Sequence, residues 1–248
     1  MRTGPQDSAS EIADQPERMI GLVPVVDIEA GGIVHACEAV MSGTSDGKLP
    51  RPGDNAAYMK AAMTFARFVE LGSLLVVKLD LSAIAEPDRL LGEMHELALR
   101  SQWPIDWLIF EASGACQCDR ARLDHAIATV RSRGAAIALG GFSLDETSFG
   151  RLVDWRPDYV KLHGHLVRSI ETDRLRQELT LGLSRACRTF GGRIIVSEVA
   201  SMRQCEALTG LGIDLIQGPI FTSFNPADGS AVILPDQPAA RNQRRSIH

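Results

Sequence analysis

Short apolar segments alternate with amphipathic helical segments along most of the chain, and this alternation limits the possible folds more than any other feature. Eight segments have the length and composition of strands, namely 22–28, 33–40, 74–80, 106–111, 135–139, 159–162, 193–196 and 213–216. Helical patterns occupy 55–71, 87–100, 119–133, 145–155, 172–190 and 202–211. The strands are nearly continuous apolar runs, which is typical of sheets covered on both faces. The repeat predicts an α/β fold, a TIM-like (β/α)8 barrel.

The first two strands depart from this repeat. Only Glu29-Ala30-Gly31-Gly32 separate them, which is a hairpin signal. A connection of a few residues can join antiparallel strands but not parallel ones. We therefore predict that the first strand of the barrel runs antiparallel to the others.

The chain is expected to contain one folded domain, residues 19–234, between two tails. Residues 1–18 are polar, contain Pro5 and Pro16, and show no periodicity. Residues 235–248 contain two further prolines and end with several arginines. Segments of this composition predict a flexible N-terminal tail and a flexible basic C-terminal tail.

Charge and composition exclude several classes of protein. Lys and Arg total 26 against 31 Asp and Glu, which gives a net charge of −5, and 45% of residues are hydrophobic. This balance predicts a globular protein without the basic excess of nucleic-acid binders. Five cysteines, including an isolated Cys116-x-Cys118, predict neither a disulfide framework nor a zinc site. No apolar run approaches the ~20 residues that span a bilayer, so we expect a cytoplasmic protein without a membrane partner.

In a barrel of this type the active site lies at the carboxyl ends of the strands. The candidate functional residues are therefore those that end the predicted strands. They are Glu38, Asp80, Glu111, Gly140, Gly141, Lys161, His163, Ser197, Glu198 and Gln217.

Several of these residues lie in segments that resemble the EAL domain, the cyclic-di-GMP phosphodiesterase family. The resemblance covers about residues 21–224, and it rests on an ordered set of segments. Val23-Pro24-Val25-Val26-Asp27 resembles the family's first strand, Glu38-Ala39-Val40 its Glu-Ala-Leu, Phe110-Glu111-Ala112 its Leu-Glu-Ile, Gly140-Gly141-Phe142 its Asp-Asp-Phe, Lys161-Leu162-His163 its Lys-Ile-Asp, and 211–219, with Gln217, its closing segment. The resemblance implies the same barrel and a link to cyclic-di-GMP signalling.

The departures from the family pattern concern its catalytic residues. The resemblance implies that carboxylates should hold divalent metal ions, which activate water against a phosphodiester. Glycines stand at 140 and 141 in place of the metal-bridging Asp-Asp pair, and Ser197 stands in place of a glutamate. Ser42 replaces the phosphate-gripping arginine, and Val23 the first-strand glutamine. The chain is therefore expected to be a degenerate, catalytically inactive member.

Four residues of the catalytic pattern remain, and we interpret them as vestigial. They are Glu38, Glu111, Lys161 and Gln217. An ammonium group is the natural counter-ion for two carboxylates in a barrel mouth, so Lys161 is expected to neutralise both glutamates. On this interpretation no cofactor is expected.

A single Mg²⁺ held by Glu38, Asp80 and Glu111 is the alternative to a vestigial site. The family's metal-binding Asn aligns with Asp80 in one register and with Lys78 in another. We prefer the first register because it retains a Leu-Ser pair and supplies an oxygen ligand. Lys161 would compete with the metal by supplying positive charge.

Three further expectations concern polar residues near the strand ends. His163, in place of an Asp, is expected to be an exposed histidine at the barrel rim. Glu198 is expected to face the opposite side of its strand from Ser197. Asp145 and Glu146 are expected at a helix N-terminus, where acids complement the dipole.

Three functions remain open from the sequence. The first is a non-catalytic regulatory protein that contacts other proteins in signalling, motility or transcription control. The second is a receptor that binds cyclic-di-GMP without hydrolysis, and the third is a residual metal-dependent phosphodiesterase. A protein partner is expected in the first case, its identity does not follow from the sequence, and a homodimer is a further possibility.

Overall fold

A computed structural model of the chain describes residues 20–41, 62–63, 73–80, 92, 95–96, 99, 103–113 and 120–221. The predicted tails, Ser42, Cys116 and Cys118 lie outside these residues. So does most of the two helices expected over 55–71 and 87–100, of which only 62–63, 92, 95–96 and 99 are described, all helical. No helix in the described ranges is long and apolar enough to cross a membrane.

Eight strands form one closed barrel in sequence order. They are β1 (Ile20–Asp27), β2 (Ile33–Met41), β3 (Leu74–Asp80), β4 (Leu108–Ser113), β5 (Ala136–Phe142), β6 (Tyr159–Leu162), β7 (Arg193–Val196) and β8 (Leu215–Ile216). β1 pairs antiparallel with both β2 and β8, and the other neighbours pair in parallel. The predicted barrel and its antiparallel first strand are confirmed.

Four helices outside the barrel are described, and each begins and ends near its predicted boundary. They are α1 (Arg120–Ser132), α2 (Glu146–Trp155), α3 (Arg174–Arg188) and α4 (Met202–Gly210). Short 3-10 helices occupy Ile105–Trp107 and Gly164–Leu166. Side-chain caps begin the last three α-helices, as at Asp145, whose carboxylate accepts from the Ser148 N–H at 2.8 Å. The expectation for Asp145 and Glu146 is confirmed.

Two buried apolar clusters hold the fold together. The larger lies between the strands and the surrounding helices, and α1 contributes Leu123, Ile127 and Val130 on one face. The smaller fills the inside of the barrel. It contains one residue from each strand in turn: Val25, Ala36, Val76, Ile109, Ala138, Tyr159, Ile195 and Leu215. We call this set the lower ring.

Candidate functional site

The next inward position of each strand, two residues closer to the carboxyl edge of the barrel, carries a different kind of side chain. Where these positions lie within a strand they face the same way as the lower ring, because side chains alternate along a strand. These positions are Val23, Glu38, Lys78, Glu111, Gly140, Lys161, Ser197 and Gln217; the last two directly follow β7 and β8. We call them the upper ring. Glu38, Glu111, Lys161, Ser197 and Gln217 are all buried, so a polar layer lies directly above an apolar one.

Lys161 lies between the two glutamates of the upper ring. Its Nζ is 2.5 Å from Glu38 Oε2 and 3.1 Å from Glu111 Oε2. Burial acts to lower the pKa of Lys161, but the Glu111 and Glu38 carboxylates outweigh it and hold that pKa above its usual value. Lys161 therefore stays charged, in the counter-ion arrangement expected from the sequence.

Glu38 is held from both sides. Lys78 Nζ lies 2.9 Å from its Oε1, and Gln217 Nε2 donates to its Oε2 at 2.7 Å. Burial would raise the pKa of the Glu38 carboxyl, but the ammonium groups of Lys161 and Lys78 outweigh it and lower the pKa to about 2. Each carboxylate oxygen of Glu38 thus faces a donor from the protein itself.

Lys78, the residue in the less favoured of the two registers of the sequence analysis, contacts Glu38 at the barrel mouth. The register of β3 on β4 sets Lys78 opposite Glu111, while Asp80 is opposite Ser113, one inward position nearer the carboxyl edge. The side chain of Asp80 is outside the described part of the structure. Among the described side chains it is Lys78 that contacts Glu38, and the preference for Asp80 at the position of the family's Asn stays a prediction.

Gly140 leaves a space that Glu111 fills. A Cβ atom built on Gly140 would lie 2.5 Å from Glu111 Oε1 and 2.6 Å from its Cγ. At Gly141 the backbone is left-handed, with φ of 62°, and the pairing of β5 with β6 shifts register between Leu139 and Phe142. The two glycines therefore form a bulge inside β5, not the end of the strand that the sequence suggested.

The rim beyond β6 and β7 carries His163 and Glu198. His163 is exposed, as expected, and its Nε2 lies 3.2 Å from Glu198 Oε1. Ser197 turns inward, and its hydroxyl donates to the Leu162 carbonyl at 3.1 Å. Glu198 is exposed, with 59% of its side chain accessible. It lies beyond the end of β7 with φ of 63°, so strand alternation does not apply to it.

A second polar cluster, at the opposite end of the barrel, was not anticipated. Arg193 of β7 donates to Asp27 Oδ2 at 2.8 Å and to Asp214. A register shift in the β1–β2 pairing turns His35 toward the interior, where its Nε2 lies 2.9 Å from the Tyr159 hydroxyl. A bulge of this kind leaves no mark in an apolar pattern. Because Arg193 joins β7 to β1 and to the start of β8, the cluster fastens the barrel where β8 meets β1.

The carboxylates of the upper ring are also the side chains that a metal ion would need as ligands. Within the described ranges, no group of three or more His, Cys, Asp or Glu side chains is placed to hold a metal ion. In the upper ring the charges of Glu38 and Glu111 are balanced by those of Lys78 and Lys161. The two glutamates described at the site are thus already paired with cations of the chain.

Comparison with known protein families gives one match over most of the barrel. The model of the EAL domain matches residues 54–223. A curated relative from Escherichia coli strain K12, the blue light- and temperature-regulated antirepressor BluF, is 22% identical over 162 residues. That match covers 64% of this chain and 40% of BluF, so the chain spans about two fifths of the relative's length.

Solved structures share the fold at low identity. A standalone versatile EAL protein from Vibrio cholerae O395, in its c-di-GMP bound form, superposes with a TM-score of 0.75 and 21% identity. This match covers 87% of the present chain and 98% of the other. BlrP1 from Klebsiella pneumoniae, in a manganese and cyclic-diGMP complex, gives 0.75 and 20%, covering 89% of this chain and 58% of BlrP1.

Proposed function

Since this chain belongs to the EAL domain family, we propose that it is a regulatory member that acts by contacting another protein and hydrolyses no phosphodiester. Its functional unit would be the barrel over residues 19–234. One observation carries the proposal: the glutamates of the upper ring are bound to Lys78 and Lys161 of the same chain.

Hydrolysis by metal-activated water needs oxygen ligands that are free to bind divalent ions. Both oxygens of Glu38 face donors of the protein, and Glu111 shares Lys161. Positions 140, 141 and 197 supply no carboxylate. The described residues therefore do not fit a two-metal centre.

Contact with a partner is supported by exposed apolar side chains and by one relative. Leu144, before α2, and Phe149 and Val153, on α2, are between 44% and 69% exposed. Leu175 and Leu179, one turn apart on α3, are 69% and 47% exposed. Exposed large apolar side chains are typical of interaction surfaces when they cluster. BluF is described as an antirepressor, and we propose a similar protein-directed role here, in signalling, motility or transcription control.

Two measurements test this proposal. Purified protein incubated with cyclic-di-GMP and Mg²⁺ or Mn²⁺ should release no more linear product than a Glu38→Ala variant. Co-purification from the native host should recover a partner protein with wild type, and equally with the Glu38→Ala control. The same partner should be absent when Leu175→Glu or Leu179→Glu is used. Glu38-dependent turnover would refute the non-catalytic role. Retention by all variants would refute the proposed surface.

A receptor for cyclic-di-GMP is the second candidate. The side chain of Lys78 is 22% exposed, which leaves a cation of the site within reach of a phosphate from solvent. One observation argues against nucleotide binding. Val23 lies beside Glu38 in the β1–β2 pairing, at the position where the family resemblance expects the amide side chain of a glutamine. Isothermal titration with cyclic-di-GMP, with and without Mg²⁺, separates the two candidates, because the protein-contact role needs no nucleotide binding.

A further inference from the structure

We infer that Lys78 is the residue that excludes divalent metal ions from this barrel, because its ammonium group takes the place of an external cation beside Glu38. The inference deepens the proposed non-catalytic function and rests on it. Lys78 contacts Glu38, and its side chain is partly exposed to solvent whereas Glu38 is buried.

The charges of the upper ring show what Lys78 contributes. Lys161 alone contacts both Glu38 and Glu111, so these three groups together carry one negative charge. Lys78 adds the fourth charge and makes the sum zero. A divalent ion is attracted to uncompensated carboxylates, and Lys78 removes that attraction.

The geometry indicates why Lys78 matters more for exclusion than Lys161. Lys161 binds the Oε2 atoms of both glutamates and is buried. Lys78 binds the other oxygen of Glu38, Oε1, and its side chain is 22% exposed against 11% for Lys161. An ion that enters from solvent must therefore displace Lys78 first.

Glu111 supplies the second oxygen that such an ion would use. Its Oε1 projects into the space over Gly140, where no side chain opposes it. Removal of the Lys78 charge would leave Glu38 Oε1 and Glu111 Oε1 as oxygen ligands, with water for the remaining positions. Mg²⁺ and Mn²⁺ are commonly held by one or two carboxylates plus waters.

The test is a titration with Mn²⁺ alone, followed by electron paramagnetic resonance of the free ion and by thermal shift. Wild type should show no saturable site, and its melting temperature should not rise with Mn²⁺ concentration. Lys78→Met should bind one ion saturably, with an affinity at least about tenfold above the weakest that the titration detects, and its melting temperature should rise with Mn²⁺ concentration. Lys78→Arg, which keeps the charge, should behave as wild type, and Lys78→Met with Glu38→Ala should lose the site.

Saturable, Glu38-dependent Mn²⁺ binding to wild type would overturn the inference, and so would a folded Lys78→Met that binds no ion. If Lys78→Met does not fold, Lys78→Asn serves as the second charge-removing variant with the same two outcomes. None of these titrations measures turnover or partner binding. Failure here is therefore distinct from failure of the proposed function, which the cyclic-di-GMP and co-purification assays report.

Discussion

Replacement of Lys161 by methionine should strongly destabilise the protein at neutral pH. Methionine fills a similar volume but removes the ammonium group that lies 2.5 Å from Glu38 Oε2 and 3.1 Å from Glu111 Oε2. Glu38 would keep Lys78 and Gln217. Glu111 would lose its cation while it remains buried.

The size of the effect follows from the burial of the group. The pKa of the Glu38 carboxyl is lowered from 4.5 to about 2, which corresponds to about 3 kcal/mol of stability that Lys161 and Lys78 supply together. Removal of one partner from a buried ion pair typically costs about 3–5 kcal/mol. For a domain of this size, the melting temperature should fall by roughly 6–20 °C.

The loss should depend on pH in a defined direction. In the native protein the lowered pKa of Glu38 contributes stability that is present above 4.5 and is lost as the pH falls toward 2. In Lys161→Met the two glutamates lose the cation that lies between them, and like charges without a counter-ion favour protonation. The variant then gains stability as the pH falls and these groups protonate. The difference between native protein and variant should therefore shrink in acid.

Urea denaturation followed by circular dichroism, at about pH 7 and about pH 4.5, measures this difference. Arg174→Met is the control, since Arg174 forms an ion pair with Glu178 at 3.7 Å with both side chains largely exposed. It should change stability by no more than about 0.5 kcal/mol. If Lys161→Met lost the same free energy at both pH values, packing would explain the loss and the charge argument would be refuted.

Two further perturbations probe the frame around the site. Gly218→Ala should prevent normal folding, because a Cβ there would lie 2.2 Å from the Val199 carbonyl oxygen; Gly150→Ala, with no atom within 4 Å, should be neutral or stabilising by up to about 1 kcal/mol. A soluble Gly218→Ala with native circular dichroism would contradict this. Arg193→Met should cost about 1–3 kcal/mol in urea denaturation, since Asp27 and Asp214 lose their shared guanidinium. Burial acts to raise the pKa of Asp27, but its hydrogen bond with Arg193 lowers that pKa overall. The difference in unfolding free energy between the native protein and Arg193→Met should therefore shrink as the pH falls below about 4. A difference that did not depend on pH would contradict the ion-pair role.

The barrel could be predicted because its strands are distinct apolar runs between turn residues. β3 and β6 have their predicted bounds, and the four residues Glu29–Gly32 indicated the antiparallel first strand. β5 was predicted too short, since Gly140-Gly141 resembles a strand end. A bulge cannot be recognised from composition, because its cause is the pairing with the neighbouring strand.

The position of Lys78 could not be predicted for a related reason. The residues before it, Leu74-Leu75-Val76-Val77, are apolar on both faces because the strand is covered on both sides. Alternation is therefore absent, so the apolar pattern did not decide between the register with Asp80 and the register with Lys78. The contacts of Lys161 were predictable because a family resemblance and a simple charge argument both pointed to the same pair of glutamates.

The stacking of the upper ring on the lower ring has a consequence for the evolution of such a barrel. The lower ring draws one residue from every strand, and its one polar side-chain group, the Tyr159 hydroxyl, contacts His35 at the end of the barrel opposite the upper ring. Residues of the upper ring can be substituted while the residues of the lower ring are retained. An exchange in the upper ring therefore leaves the apolar layer beneath it in place, and its effect on folding depends on whether the charges of Glu38 and Glu111 stay balanced.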